Sequence, residues 1–143
     1  MSSANTKQCT HLKNHTQYSI CEGAVKIDDL KDFCKKNKIR AIGLSDTKNL
    51  CGALEFAENI SKVGTQPIIG SQINFKFKDQ IGILPIIANN FEGYKSIIGL
   101  SSKSYLENRT TEEPHCLFQE LLKIHSGVTV FSGSLGGLIG KLF

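Results

Sequence analysis

Residues 39–44 form a nearly continuous apolar run, broken only by Arg40 and set between two segments of helical periodicity. A strand covered on both faces reads this way, because neither face alternates to polar residues. On the N-terminal side, Ile27, Leu30, Phe33 and Cys34 recur at the spacing of one helix face over residues 27–37. Asp28 and Asp29 fall in the first turn, where the helix dipole favours anions. On the C-terminal side, Leu50, Ala53, Leu54, Ala57 and Ile60 make an inward stripe over residues 49–63, and Gly64 supplies a stop. Residues 67–78 alternate through Ile73, Phe75 and Phe77 as a strand, and residues 80–88 make another, with a turn at Lys78-Asp79. Pro85 within the second implies an edge position or a bulge.

Residues 91–106 read as a helix with Tyr94, Ile97, Ile98 and Tyr105 on one stripe. A polar loop over 107–114 leads to a short helix carrying Leu117, Leu121, Leu122 and Ile124. Residues 128–131 read as a strand, residues 133–143 as a glycine-rich helical segment, and residues 10–15 as a weak, polar strand. Strands alternating with helices define an α/β fold of parallel βαβ units, in an open sheet or a barrel.

With 143 residues and 40% hydrophobic content, the chain is expected to form one domain, preceded by a disordered leader at residues 1–8. The net charge of +4 comes from lysines spread along the chain, without the dense stripe that neutralises several phosphates. No apolar run approaches the roughly 20 residues of a membrane span, and the polar N-terminus has no signal-peptide core. Cys9, Cys21, Cys34, Cys51 and Cys116 are odd in number and irregular in spacing. They suggest neither a disulfide framework nor a zinc ribbon, and a reduced, cytoplasmic setting fits them best.

Three segments are candidates for chemistry. In a strand, His11, Lys13 and His15 point to one face, as in a metal or anion site, or as a solvated strand end or packed histidine. Asp46, in Gly43-Leu-Ser-Asp-Thr-Lys-Asn-Leu50, leaves a buried strand where active sites of α/β folds collect; Ser45, Asp46 or Thr47 would serve equally as a helix cap. Ser132-Gly-Ser-Leu-Gly-Gly-Leu-Ile-Gly-Lys141 is glycine-rich, but it has neither phosphate-loop nor dinucleotide-binding spacing. His115-Cys116 reads as an exposed pair, and His125 as the end of a helix.

Five segments together resemble the PHP domain of bacterial DNA polymerase III α subunits. His11-Leu-Lys-Asn-His-Thr-Gln-Tyr-Ser-Ile-Cys-Glu-Gly-Ala24 resembles its opening H-L-H-V-H-T-E-Y-S-L-L-D-G-A. Ala41-Ile-Gly-Leu-Ser-Asp-Thr-Lys-Asn-Leu50 resembles A-L-A-L-T-D-H-G-N-L. Pro67-Ile-Ile-Gly-Ser-Gln72, Ala88-Asn-Asn-Phe-Glu-Gly-Tyr94 and Ser132-Gly-Ser-Leu-Gly-Gly137 resemble P-I-I-G-C-E, A-K-N-E-E-G-Y and S-G-C-L-G-G. The matches run in order from about residue 9 to the end. The resemblance implies a distorted (β/α)7 barrel, here incomplete over residues 9–143 and lacking its last strands, so a sheet edge and apolar interior are expected to be exposed.

It also implies where ligands to a cluster of up to three metal ions would lie. His15 matches, Glu22 is an acid-for-acid change, and Asp46 is kept. Lys13 replaces the first histidine of H-x-H, Thr47 the histidine of T-D-H, and Gln72 a metal-bridging glutamate. Ile83 replaces a histidine and Ser134 a cysteine. No catalytic residue and no zinc or manganese cofactor is therefore expected, and Lys13 is expected to compensate Asp46 or Glu22. The implied role is structural and partner-binding within DNA replication, beside the rest of the polymerase subunit and the proofreading exonuclease subunit. DNA would be met only through the assembled holoenzyme, and no membrane is involved. The competing reading is a metal-dependent phosphoesterase or 3′–5′ exonuclease.

Overall fold

The structure, a computed structural model, describes residues 9–108, 112–124 and 126–143. The expected leader at 1–8 and the expected helix end at His125 lie outside the described residues. Helix α1 spans Ile27–Asn37 and strand β1 Ala41–Thr47, followed by α2 at Ala53–Ser61 and β2 at Gln66–Phe77. Strand β3 covers Gln80–Ala88, α3 Phe91–Leu106, β4 Cys116–Leu117, α4 Phe118–Lys123 and β5 Val128–Val130, before a short 3-10 helix at Gly140–Leu142. Among the described residues no helix is long and apolar enough to cross a membrane.

The sheet is mixed and open. Its path runs β1-β2-β3-β5, with β4 pairing β2 beyond β1. The β1–β2 pair is parallel, with α2 as its crossover, and Asp46 stands opposite Ser71 and Thr47 opposite Gln72. β2 and β3 form an antiparallel hairpin at the expected Lys78-Asp79 turn, so the parallel βαβ pairing expected from the alternation of strands and helices holds for β1 and β2 but not throughout the sheet. The two-residue corner takes the turn, with Lys78 at φ 53°. Pro85 does not lie on an edge strand, since β3 runs between β2 and β5; it sits where the pairing with β5 ends. Phe131 donates its backbone N–H to the Pro85 carbonyl at 2.9 Å, whereas paired β5 residues stop at Val130. In an antiparallel strand a residue's nitrogen and carbonyl face the same neighbour, so the missing N–H of Pro85 ends this ladder.

Helices pack on one face of the sheet. One cluster joins Ile27, Leu30 and Cys34 of α1, Ile42 and Leu44 of β1, and Phe56 and Ile60 of α2. A second joins Ile73, Phe75, Leu84 and Ile86 of β2 and β3 to Ile97 and Leu100 of α3. The helical stripes differ from expectation in register. Phe33 (52% exposed) and Leu54 (70%) face outward, while Phe56 is fully buried. On α3 the buried line is Gly93, Ile97, Leu100 and Ser104, at alternating spacings of four and three, and Tyr105 and Ile98 turn out. Asn90 caps this helix by accepting from the Gly93 N–H.

Three further expectations are corrected. Residues 10–15 are not a regular strand; they run beside β1 through Gly43 N–H to His11 O and Ser45 N–H to Asn14 O. Asn14 breaks the ladder by donating its side-chain amide to both His11 O and Gly43 O. Residues 133–143 are turns and the 3-10 helix rather than an α-helix. His115 and Cys116 are buried, because β4 pairs with β2 at Phe75 and Lys76. Burial pushes the Cys116 thiol up to about 11, and it donates to Leu100 O at 3.2 Å.

Lys103 of α3 and Lys123 of α4 both bind Glu120, each at 2.8 Å. The hydrogen bonds from these two lysines hold the Glu120 carboxyl down to about 2. Its folded value lies below the unfolded one, so this contribution to stability is present above about pH 4.5 and is lost as pH falls towards 2. In denaturant melts, Glu120→Gln is expected to lower stability at pH 6 and to be indistinguishable from the parent near pH 2. An equal deficit at both pH values would mean the carboxylate charge is not what ties α3 to α4.

Candidate functional site

β1 carries its site residues on opposite faces. Ser45 and Thr47 point away from the helices and Asp46 points toward them, as strand alternation requires. None of the three caps α2, which starts only at Ala53. Asn49 holds the intervening turn by donating to Tyr18 O and Thr47 O and by accepting from the Cys51 N–H.

Asp46 is fully buried and its carboxylate is filled by donors from one segment. Thr16 donates its backbone N–H to Oδ1 at 2.6 Å and its hydroxyl to Oδ2 at 2.7 Å, and the Ser19 hydroxyl donates to Oδ1 at 2.7 Å. The segment is itself wound tight: Ser19 N–H reaches Thr16 O, and the Glu22 and Gly23 N–H groups both reach Ser19 O. Gly23 is required there, since a Cβ would lie 2.0 Å from the Thr16 carbonyl oxygen. Tyr18 extends the attachment to α2, donating its hydroxyl to Glu55 at 2.6 Å. Thr16 and Ser19 lie in the opening motif, outside the positions at which the resemblance implies ligands. Their spacing around His15 was a signal that polar side chains three apart can wrap one acceptor.

Across the sheet edge lies a second polar chain. The Gln72 amide nitrogen sits 3.3 Å from His15 Nε2 and donates to Thr47 Oγ1 at 3.1 Å, and Thr47 Oγ1 donates to Glu22 at 2.5 Å. His15 Nδ1 lies 3.5 Å from the Ser19 hydroxyl, which ties this chain to the Asp46 hub. The Gln72 carbonyl oxygen is buried and has no partner among the described residues.

The structure thus brings together His15, Glu22, Thr47 and Gln72 and separates the rest. Asp46 belongs to the opposite face. Lys13 and Ser134 line a neighbouring cavity, and Ile83 sits on β3 opposite Asn74. The expected compensation by Lys13 does not occur: Lys13 is exposed and pairs with neither Asp46, whose two oxygens are taken by Thr16 and Ser19, nor Glu22, whose Oε2 accepts from Thr47. Among the described residues, no three His, Cys, Asp or Glu side chains group as a metal-binding set.

Fold and site together define a class. The PHP-domain family model matches residues 11–143, and the chain belongs to that family. Among curated proteins it is 34% identical over 134 residues to DNA polymerase III subunit alpha of Haemophilus influenzae, covering 92% of this chain and 12% of that one. It is also 34% identical over 132 residues to the same subunit of Rickettsia felis, covering 92% and 11%. The chain therefore spans only a small part of the length of these relatives. Among solved structures it resembles a candidate metal-dependent phosphoesterase from Bifidobacterium adolescentis, at TM-score 0.53 and 16% identity over 66% of this chain and 32% of that one. An amidohydrolase from Chromobacterium violaceum matches at TM-score 0.53 and 14% identity, with the same coverage. Both likenesses concern the fold.

Proposed function

We propose that this chain is the PHP portion of a replicative DNA polymerase of the DNA polymerase III α type, part of a distorted (β/α)7 barrel, and that it acts there without a metal as a structural and partner-binding element. The observation that carries the reading is the contact between His15 and Gln72, continued through Thr47 to Glu22. A catalytic zinc takes three protein ligands and an open position. Here the amide and hydroxyl of Gln72 and Thr47 join the two groups that could ligate, and Asp46 has its oxygens occupied on the other face. The donors present do not fit a metal cluster, and no hydrolytic step is derived through one. The partners that follow are the remainder of the polymerase subunit and the proofreading exonuclease subunit, with DNA reached through the assembly.

One observation favours the alternative, a metal-dependent phosphoesterase or 3′–5′ exonuclease. The unpaired Gln72 carbonyl oxygen lies on the side chain that contacts His15 and is able to serve as a weak oxygen ligand. Zinc and manganese content of the purified chain, measured beside a 3′–5′ exonuclease assay, separates the two. The expected result is substoichiometric metal and no metal-dependent hydrolysis. Stoichiometric metal together with activity that a chelator abolishes would establish the alternative.

A further inference from the structure

Beside the polar chain, between the 11–15 segment and the loop after β5, lies a cavity of about 390 Å³. That is within the range of small-molecule sites. Its polar lining is Lys13, Ser45, Ser132 and Ser134, and no acidic residue takes part. Its remaining walls are apolar, from Leu12, Pro85, Ile87 and Phe131. Ser45 is 1% exposed, and its hydroxyl has no hydrogen-bond partner among the described residues. A buried hydroxyl without a partner carries a desolvation cost that a ligand oxygen would remove. The loop is held in place by the backbone, with Gly133 at φ 81° and Gly137 N–H donating to Ser134 O. None of His15, Glu22, Asp46, Thr47 or Gln72 lines this cavity.

The geometry points to a binding site for a small monoanion with an apolar body, of the alkyl carboxylate class. Lys13 supplies the charge, and Ser45 with the Ser132–Ser134 loop supplies hydroxyls for the carboxylate. The apolar walls cover the chain. A single lysine matches one negative charge, and the largely apolar wall disfavours a compact, multiply charged oxyanion that offers it nothing to bury. Lys13 and Ser134 stand at two positions where the resemblance implies metal ligands, so the site rests on the metal-free reading proposed above.

The test is a titration of the 143-residue chain in the presence of a chelator, followed by calorimetry. The probes are hexanoate, hexan-1-ol and inorganic phosphate. Hexanoate is expected to bind saturably, at least about tenfold tighter than hexan-1-ol, as a charge-assisted hydrogen bond provides. Lys13→Ala is expected to bring hexanoate down to the level of hexan-1-ol, and Lys13→Arg to retain most of the difference. Ser45→Ala is expected to weaken hexanoate severalfold without lowering the melting temperature, because it removes a hydroxyl that has no partner. Phosphate binding as tight as hexanoate, or hexanoate binding indifferent to Lys13→Ala, would overturn the assignment. Binding that appears only with added zinc would overturn this site and the metal-free reading together, whereas absence of hexanoate binding touches this site alone.

Discussion

Asp46→Ala is expected to destabilise the chain by about 3–4 kcal/mol, read as a shift in urea midpoint at constant slope. The carboxylate receives three hydrogen bonds in a fully buried position, at 2.6, 2.7 and 2.7 Å. Hydrogen bonds to charged groups contribute about 1.5–3 kcal/mol each, and buried donors left without an acceptor add their own desolvation cost. The Thr16 N–H and both hydroxyls lose their acceptor at once, so relaxation cannot repair all three. Asp46→Asn keeps the shape but turns an amide NH2 toward donors, and is expected to recover less than half of the loss. Glu22→Ala removes a partly solvated acceptor and is expected to cost no more than about 0.5 kcal/mol. A deficit under about 1 kcal/mol for Asp46→Ala would show that Asp46 is not the anchor of the 16–19 segment.

Gly43→Ala is the second large effect, at about 3 kcal/mol in the same measurement. A Cβ on Gly43 would lie 2.6 Å from the Leu12 carbonyl oxygen and 2.7 Å from its Cα. These are backbone atoms, with no side chain to rotate away. The clash is relieved only by lifting residues 11–14 off β1, which breaks the Gly43 N–H to His11 O bond and the Asn14 amide bond to Gly43 O. Overpacking typically costs 1–3 kcal/mol, and the lost hydrogen bonds put this case near the top of that range. The two substitutions release the same segment from two faces of one strand, so their effects are expected to be less than additive in the double variant. Strict additivity would mean that the 11–14 and 16–19 stretches are held independently.

Both effects concern a segment whose sequence announces polarity and little else. The strand at 80–88, the long helix at 91–106 and the hairpin corner were legible because apolar periodicity over many residues outweighs local choices. The inward faces were less legible. Leu54 and Phe56 are both large and apolar, and a stripe drawn through Leu54 looks as good in isolation as one through Phe56. Only docking on β1 and β2 decides that Phe56 is buried while Leu54 is not. His115 and Cys116 were unreadable for a similar reason. A two-residue strand has no period, and its burial comes from pairing with Phe75 and Lys76 across some forty residues of chain.

The site divides the same way. The order of segments in register, from His11 to Gly137, was enough to assign the chain to the PHP domain family. The residue types at Lys13, Thr47, Gln72, Ile83 and Ser134 are equally a matter of identity at a position, and side-chain chemistry is fixed before folding; that they replace metal ligands is what the resemblance implies. What the sequence by itself could not determine was the grouping of these residues. Asp46 and Thr47 are neighbours in the chain, yet the pleat of β1 sends one to the buried hub and the other to Gln72 and Glu22. Lys13 and His15 share one short segment, yet Asn14 breaks its ladder, and Lys13 lines the cavity while His15 meets Gln72. Tertiary structure decided the partners because a side chain's neighbours follow from where the backbone points it and from which strand lies across. Neither quantity is local in sequence.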